Sequence, residues 1–428
     1  MKNAVDVCIS KCGSDRGTAY TMSPKVLRRQ DAVLLTWLDA PSEPGAESGA
    51  MFGVFDAASS DLRGAYAISS ALDNHCGPAM VMDHAERVHV VIGGHHTAFQ
   101  YRWTDAPHDP ASWSAPELLG PADSYPGLAV DQEGTLHLVH REQMGGYMSR
   151  WQLWYRRKRP GRDWEIPVPL AVSPVLGYNH FMQTLTVGPA GTLHVTFQFH
   201  YSDTDRSRDG WGRAAVYLHS ENGGDHWYNE DRRLTGPLTV DQMQPVGGNA
   251  ALPGEKGLSI SNHFVDDRNA PWFFSSHPQY PSGLIWHREP SGWQMIDMAD
   301  RTRGLNIGHG GSTSLARLPS GRVIFLFTAD TSGNAWPFGA VGGTLHETVL
   351  DATGKLVRTA PLRTADAESS CWLPSLERWD WTAPGRREGD DVWFLYTRGI
   401  NHSTVENGRN ANASRTRIHL GNRFNQFR

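Results

Sequence analysis

The apolar positions of this chain fall in short runs: AVLLTWL, RVHVVIGG, TLHLVH, TLHVTFQF, APWFFSS, RVIFLFT and DVWFLYT. Each is rich in β-branched and aromatic side chains and bounded by turn formers, the pattern of a buried strand. No long amphipathic helix interrupts them. Several runs share a prelude of an Asp or Gly, a turn, then the strand, as in DQEGTLH at 131–137, GPAGTLH at 188–194, DDRNAPW at 266–272 and PSGRVI at 319–324. RQDAVL, DHAERVH and GDDV continue the series, so that Leu34, His89, His137, His194, Trp272, Ile324 and Val392 occupy corresponding places. Seven irregularly spaced units fill the chain once. With about four strands apiece they predict an all-β chain, a single seven-bladed β-propeller over residues 1–428.

The stretch SENGGDHW at 220–227 fits the S-x-D-x-G-x-x-W turn known as the Asp box, with Asn222 in place of Asp. Its Asn caps a tight hairpin, a glycine takes the left-handed conformation, and the Trp packs between units, so it argues for fold and not for activity. His89, His137 and His194 recur at one repeat position, which assigns them to packing.

Composition narrows the partners. The net charge is −5 with no Lys/Arg-rich run, which leaves no electrostatic footprint for nucleic acid. No apolar stretch reaches the length of a membrane helix. MKNAVDVCISKCGSDRG holds no signal-peptide core, so location stays open: secreted or periplasmic if a leader was removed, otherwise cytoplasmic. Cys8, Cys12, Cys76 and Cys371 match no paired zinc spacing and are expected as free thiols or one incidental pair, with no metal and no organic cofactor. A monomer is expected.

Two motifs escape the repeat. DNHCGP at 73–78 carries His75, and GGHH at 93–96 carries His95 and His96 twenty residues later. His75 lies in a loop just before the MVMDHAERVHVV unit, and His95 and His96 lie at the end of the strand with which that unit opens, so the chain is expected to run out along one blade edge and back, with both histidines facing one end of the channel. Later units add His140 and Arg141 (LHLVHREQ), Arg156 and Arg157 (LWYRRKRPG), His200 and Tyr201 (QFHYSD) and Arg213 (WGRAAVYLH). Arg156 follows two aromatic residues in a strand, where an inward charge needs an anionic partner.

Together the DNH-x-x-P loop, the strand starts, the GHH element and the WYRR strand resemble the BNR-type seven-bladed propellers that include ulvan lyases and rhamnose–glucuronate lyases and hydrolases. The detailed resemblance runs from about Asp73 to Trp227. It implies β-elimination at a uronic acid in an acidic polysaccharide or oligosaccharide, an ulvan-like or gum arabic-like rhamnose–glucuronate glycan. It places the two family histidines at His75 and His95 and the carboxylate-neutralising arginine at Arg156. A tyrosine is expected sixteen residues before that arginine, and His140 stands there instead. Tyr201 is the other candidate for the acid.

The chemistry suits these side chains. An imidazole of near-neutral pKa takes the C5 proton, a cation stabilises the enediolate charge, and a second group protonates the departing O4. His75 is the expected base, His140 or Tyr201 the acid, with Arg157 or His95 assisting Arg156. Tyr125, Tyr178, Trp211 and Tyr280 offer sugar-stacking faces, and His263, His277 and His309 are further loop histidines near predicted strands. Hydrolysis of the rhamnose–glucuronate linkage and silent sugar binding are the alternatives. A sialidase would need an arginine triad and a Tyr/Glu pair that the chain does not assemble.

Overall fold

The computed structural model describes residues 5–20, 22–41, 43, 46–146, 148–247, 258–307, 309–329, 342–364, 369–378, 381, 390–400 and 416–423. The chain is almost all strand, with one short α-helix, α1 (Ala299–Thr302), among the described residues. After β1 (Asp6–Gly13), a first antiparallel unit contains β2 (Val26–Arg29), β3 (Ala32–Asp39), β4 (Ser48–Asp56) and β5 (Asp61–Ala71). The second contains β6 (Ala79–Met82), β7 (Val88–Ile92), β8 (His95–Thr104) and the first part of β9 (Glu117–Val130). The rest of β9 opens the third, with β10 (Leu136–Gln143), β11 (Trp151–Lys158) and β12 (Val168–Val172).

The fourth holds β13 (His180–Val187), β14 (Leu193–Tyr201), β15 (Trp211–Ser220) and β16 (Tyr228–Asn229), extended by β17 (Arg232–Arg233). The short β18 (Leu238–Thr239) returns to pair in parallel with β12. A fifth unit is β19 (Ser259–Val265), β20 (Pro271–His277), β21 (Tyr280–Glu289) and β22 (Gly292–Asp297). The sixth is β23 (Thr313–Arg317), β24 (Val323–Ala329), β25 (Thr344–Leu350) and β26 (Leu356–Arg363). Last come β27 (Ser370–Leu376), β28 (Val392–Gly399) and β29 (Thr416–Arg423), and β1 completes their sheet by pairing with β29, Asp6 opposite Gly421. The first and last described strands thus share one sheet.

All seven repeat positions fall in the second strand of a unit, Leu34 in β3, His89 in β7 and so on to Val392 in β28. The reason is burial: these strands are apolar on both faces because neighbouring units pack against each. Trp151, Leu153 and Tyr155 of the third unit, for example, meet Phe181, Phe197 and Phe199 of the fourth. Burying large aromatic side chains on both faces is the main stabilising term for such a stack.

The recurrent histidines do structural work. His89 Nδ1 lies 2.8 Å from the Tyr101 hydroxyl and its Nε2 3.3 Å from Asp83. His137 repeats this with Tyr155 (2.8 Å) and Asp131 (3.0 Å). In the fourth unit Gly188 stands where the Asp would be, and Asn269 of the fifth reaches in to meet His194 at 3.2 Å. A Cβ on Gly188 would sit 2.1 Å from that Asn269 oxygen, so the glycine is what admits the substitute. The Asp-box turn also forms as expected: Asn222 Oδ1 accepts from His226 N (2.9 Å), Ser220 Oγ from Gly224 N (2.9 Å), and Trp227 is buried against Tyr155. At φ 64° and 91°, Gly223 and Gly224 take the left-handed conformation.

Burial pushes His194 down to about 3 and His263, which faces the Thr196 hydroxyl, well below the ordinary 6.5. Below pH 6.5 the unfolded chain takes up protons that these folded sites refuse, so stability falls with pH, by about 1.4 kcal/mol per pH unit for each such site. Urea unfolding at pH 7 and pH 5 is expected to show a lower midpoint at pH 5, and equal midpoints would contradict neutral burial.

Candidate active site

In every antiparallel unit the start of the first strand, the end of the second and the start of the third lie at one end. His75 precedes β6 and His95 opens β8, which is why the twenty-residue interval returns the chain to the same place. Small residues let the two loops close. A Cβ on Gly93 would lie 3.0 Å from the Gly77 carbonyl oxygen, and one on Gly77 would lie 2.2 Å from the Ala19 oxygen. The imidazoles of His75 and His95 stack with centroids 4.2 Å apart.

Between them sits Asp73. Its Oδ2 is 2.6 Å from His95 Nδ1, and its Oδ1 accepts from the His75 backbone N–H at 2.8 Å and lies 3.3 Å from His75 Nδ1. Burial alone would raise this carboxyl, but the hydrogen bonds from His75 and His95 outweigh it and hold Asp73 well below the usual carboxylate range. An ionised carboxylate only accepts, so His75 carries its hydrogen on Nδ1 and presents Nε2 as a lone pair. Burial, with the positive charge of Arg16 nearby, pushes His75 well below the ordinary imidazole value and keeps it neutral. Asp73, His75 and His95 are also the metal-compatible group among the described residues, with one ligand atom each within 4.8 Å of the others. Burial pushes the Cys76 thiol up, so it adds no thiolate ligand.

Around this centre lies an aromatic floor. Tyr20, Tyr125, Met182 and Trp372 form one buried cluster. Tyr20 packs 6.4 Å from His75, and its hydroxyl accepts from Arg16 Nη1 (2.6 Å) and from the Tyr125 hydroxyl (3.3 Å). Arg141 lies 4.0 Å over the Tyr125 ring and 5.1 Å over Trp151. Tyr125 and His96 hold φ of 58° and 62°, a left-handed backbone that costs a non-glycine residue energy and clusters at functional sites. His96 packs edge-on to Trp151 and Tyr178, and burial pushes it down to about 2. Farther on, His180 and His200 stack at 4.3 Å, with His309 near enough to act on His180 electrostatically. Burial brings His200 and His309 down to about 4.

Several expected residues lie elsewhere. His140 precedes Arg141 and points to the opposite face, fully buried with Nδ1 3.1 Å from Asp123 and edge-on to Phe99. Arg156 is five residues inside β11, about 17 Å along the strand from Trp151. Burial lowers its guanidinium, and the charges of Asp123, Glu142 and Glu117 oppose that from within the protein. Arg157 braces the Asp-box turn through Asp225 (2.6 Å) and Glu165 (2.9 Å). His263 is buried mid-strand, and His277 packs on Tyr280 in the fifth unit. His75, His95, His96, Tyr125, Arg141, Tyr178 and His309 do converge, and Tyr201 and Arg213 lie on the adjoining wall. Reading the sequence missed Asp73, two residues before His75, and also His180, Arg16 and Tyr20. Only Asp73 carried a signal, its place in the quoted DNH motif.

Residues 52–287 match the model of the BNR repeat-containing family. That span is more than half the chain. The chain belongs to the BNR repeat-containing family. No curated protein matches this BNR chain. Among solved structures, it is similar to an ulvan lyase of polysaccharide lyase family PL25 bound to -[GlcA(1-4)Rha3S]-, with TM-score 0.67, 14% identity, and 98% of this chain and 95% of that one covered. The polysaccharide lyase Uly1 is similar at TM-score 0.60 and 10% identity, covering 99% of each chain. A protein of unknown function from Dyadobacter fermentans follows at 0.51 and 12%, covering 98% of each. At these identities the likeness is one of fold.

The close approach of the loops makes a sharp prediction. Gly77→Ala is expected to cost roughly 1–3 kcal/mol of stability, as overpacking does, and to disturb the histidine pair. Gly64→Ala, where a Cβ would meet nothing within 4 Å, is expected to be neutral in the same urea titration.

Proposed function

We propose that this chain is a seven-bladed β-propeller, a single catalytic domain, that cleaves a uronate-containing glycan by β-elimination. The observation that carries the reading is the Asp73 carboxylate shared by His75 and His95, which leaves a neutral, oriented imidazole nitrogen at the mouth of a cation-flanked floor. The fold-level likeness to polysaccharide lyases supports it.

In this reading His75 Nε2 removes the C5 proton of the uronate. The electron pair delocalises into the carboxylate as an enediolate, then forms the C4–C5 double bond as the C4–O4 bond breaks. Arg16 and Arg141 flank the centre and supply the positive field that lowers the barrier to that charge. Tyr20 delivers the proton to O4. Its oxygen accepts from both Arg16 and Tyr125, which stabilises the tyrosinate left behind and directs its own hydrogen outward. The sixteen-residue interval that the resemblance requires between tyrosine and arginine is kept by Tyr125 and Arg141, where a tyrosine stands, and not by His140 and Arg156. Arg141 thus replaces Arg156, and the Tyr125–Tyr20 pair replaces His140 or Tyr201.

Hydrolysis is less favoured by the geometry. It commonly needs two carboxylates free to act on the glycosidic bond, whereas Asp73 is engaged by both histidines and Asp15 accepts from Asn74 at 2.8 Å.

Incubation with ulvan, gum arabic and glucuronan, with and without chelator, is expected to raise the ultraviolet absorbance of a 4,5-unsaturated uronate on at least one of them. His75→Ala abolishes the rise. Sugars released without that absorbance would mean hydrolysis, and loss of the rise with chelator would mean a metal at Asp73, His75 and His95.

Asp73→Asn is expected to lower kcat by about 100-fold or more, within the range of acid–base catalysis. The acid limb of kcat/KM belongs to His75 and lies below pH 6.5, because burial has lowered it. Asp73 favours the imidazolium, so removing its charge moves that limb to still lower pH, and a shift upward would refute the arrangement.

A further inference from the structure

The described arginines that are half-buried mostly have a carboxylate. Arg28 pairs with Glu377 and Asp391, Arg157 with Glu165 and Asp225, and Arg288 with Glu230. Arg213 breaks the pattern. It is half-buried at the start of β15, its Cζ lies 5.6 Å over the Tyr201 ring, and no carboxylate pairs with it among the described residues. A guanidinium taken partly from water without an anion is a cost unless a ligand supplies one.

The position says which ligand. Tyr201 packs 4.9 Å from Trp211, and both are half-buried, so cation and rings form one platform. That platform lies at the same end of its unit as Tyr178: Tyr201 ends β14 and Trp211 opens β15, the Tyr178 backbone N–H donates to the Thr204 oxygen at 2.6 Å, and His96 meets Tyr178 at 6.3 Å. It lies on the wall of the fourth unit, outward from Arg141. Aromatic faces with an adjacent guanidinium are the chemistry for a sugar ring that bears an oxyanion.

We propose that Arg213, Tyr201 and Trp211 form a second subsite, which takes the carboxylate or sulfate ester of a sugar adjoining the one cleaved. This rests on the reading of the site as a uronate lyase, and it makes the substrate a glycan with an anionic group on more than one sugar. Arg213 contributes to binding and not to the chemical step.

Titration calorimetry tests it with ulvan oligosaccharides in native, desulfated and carboxyl-reduced forms, on His75→Ala protein so that no turnover intervenes. Arg213→Gln in that background is expected to weaken native binding on the order of ten-fold, with Arg213→Lys recovering part of the loss because the charge is kept. The modified oligosaccharide whose binding no longer responds to Arg213→Gln names the oxyanion. Undiminished native binding in Arg213→Gln overturns the subsite, as does failure of the His75→Ala protein to bind any of the three. Binding that depends on Arg213, together with absence of an unsaturated product from the unmutated protein, overturns the elimination reading and leaves the subsite standing.

Discussion

One buried carboxylate organises this end of the molecule. Asp73 remains ionised out of water because two imidazoles and a backbone N–H satisfy it, and in return it fixes the tautomer of His75. That exchange needs two loops from the same unit within van der Waals contact, hence the glycines at 77 and 93. It also needs the N-terminal segment in place. Asn74 donates to Asp15, whose backbone oxygen accepts from Trp372 Nε1 at 2.7 Å, and the Thr18 hydroxyl donates to the Leu373 oxygen at 2.7 Å. Arg16 and Tyr20 are therefore held by the first strands of the chain and the last unit together. The pairing of β1 with β29, the first and last described strands, is part of what positions the candidate site.

The units were legible because their second strands are buried on both faces, and such strands appear as unbroken apolar runs after a turn. The histidine pair was legible because two turn-rich motifs outside the repeat demanded another explanation. Arg156 and His140 lie apart from the histidine pair for a physical reason. A strand reverses its side chains at every residue and runs the length of a unit, so a residue's face and distance from the functional end matter as much as its neighbours in sequence. His140 is one residue from Arg141 and faces the other way, and Arg156 lies five residues inward. Arg16 and Tyr20 lie in an irregular segment before β2, brought to His75 by closure between the ends of the chain, which no local pattern encodes.

The electrostatics are uneven around the centre. His96, His180, His200 and His309 are all driven toward neutrality by burial, and Asp73 is committed to its two partners. The arginines stay charged and rest on ring faces: Arg141 on Tyr125 and Trp151, Arg213 on Tyr201. A histidine beside an arginine is a poor place for a proton and a good one for an anion. Basicity and positive charge, which would compete if a single imidazole had to provide both, are thus divided between two residue types. In the proposed elimination the buried imidazoles would keep lone pairs for proton transfer, while guanidinium groups, whose charge does not titrate near neutral pH, would attract the substrate and stabilise what the transfer creates. Aromatic rings rather than carboxylates hold those guanidinium groups. A carboxylate would fix them equally well but would cancel the positive field on which the proposed reading depends.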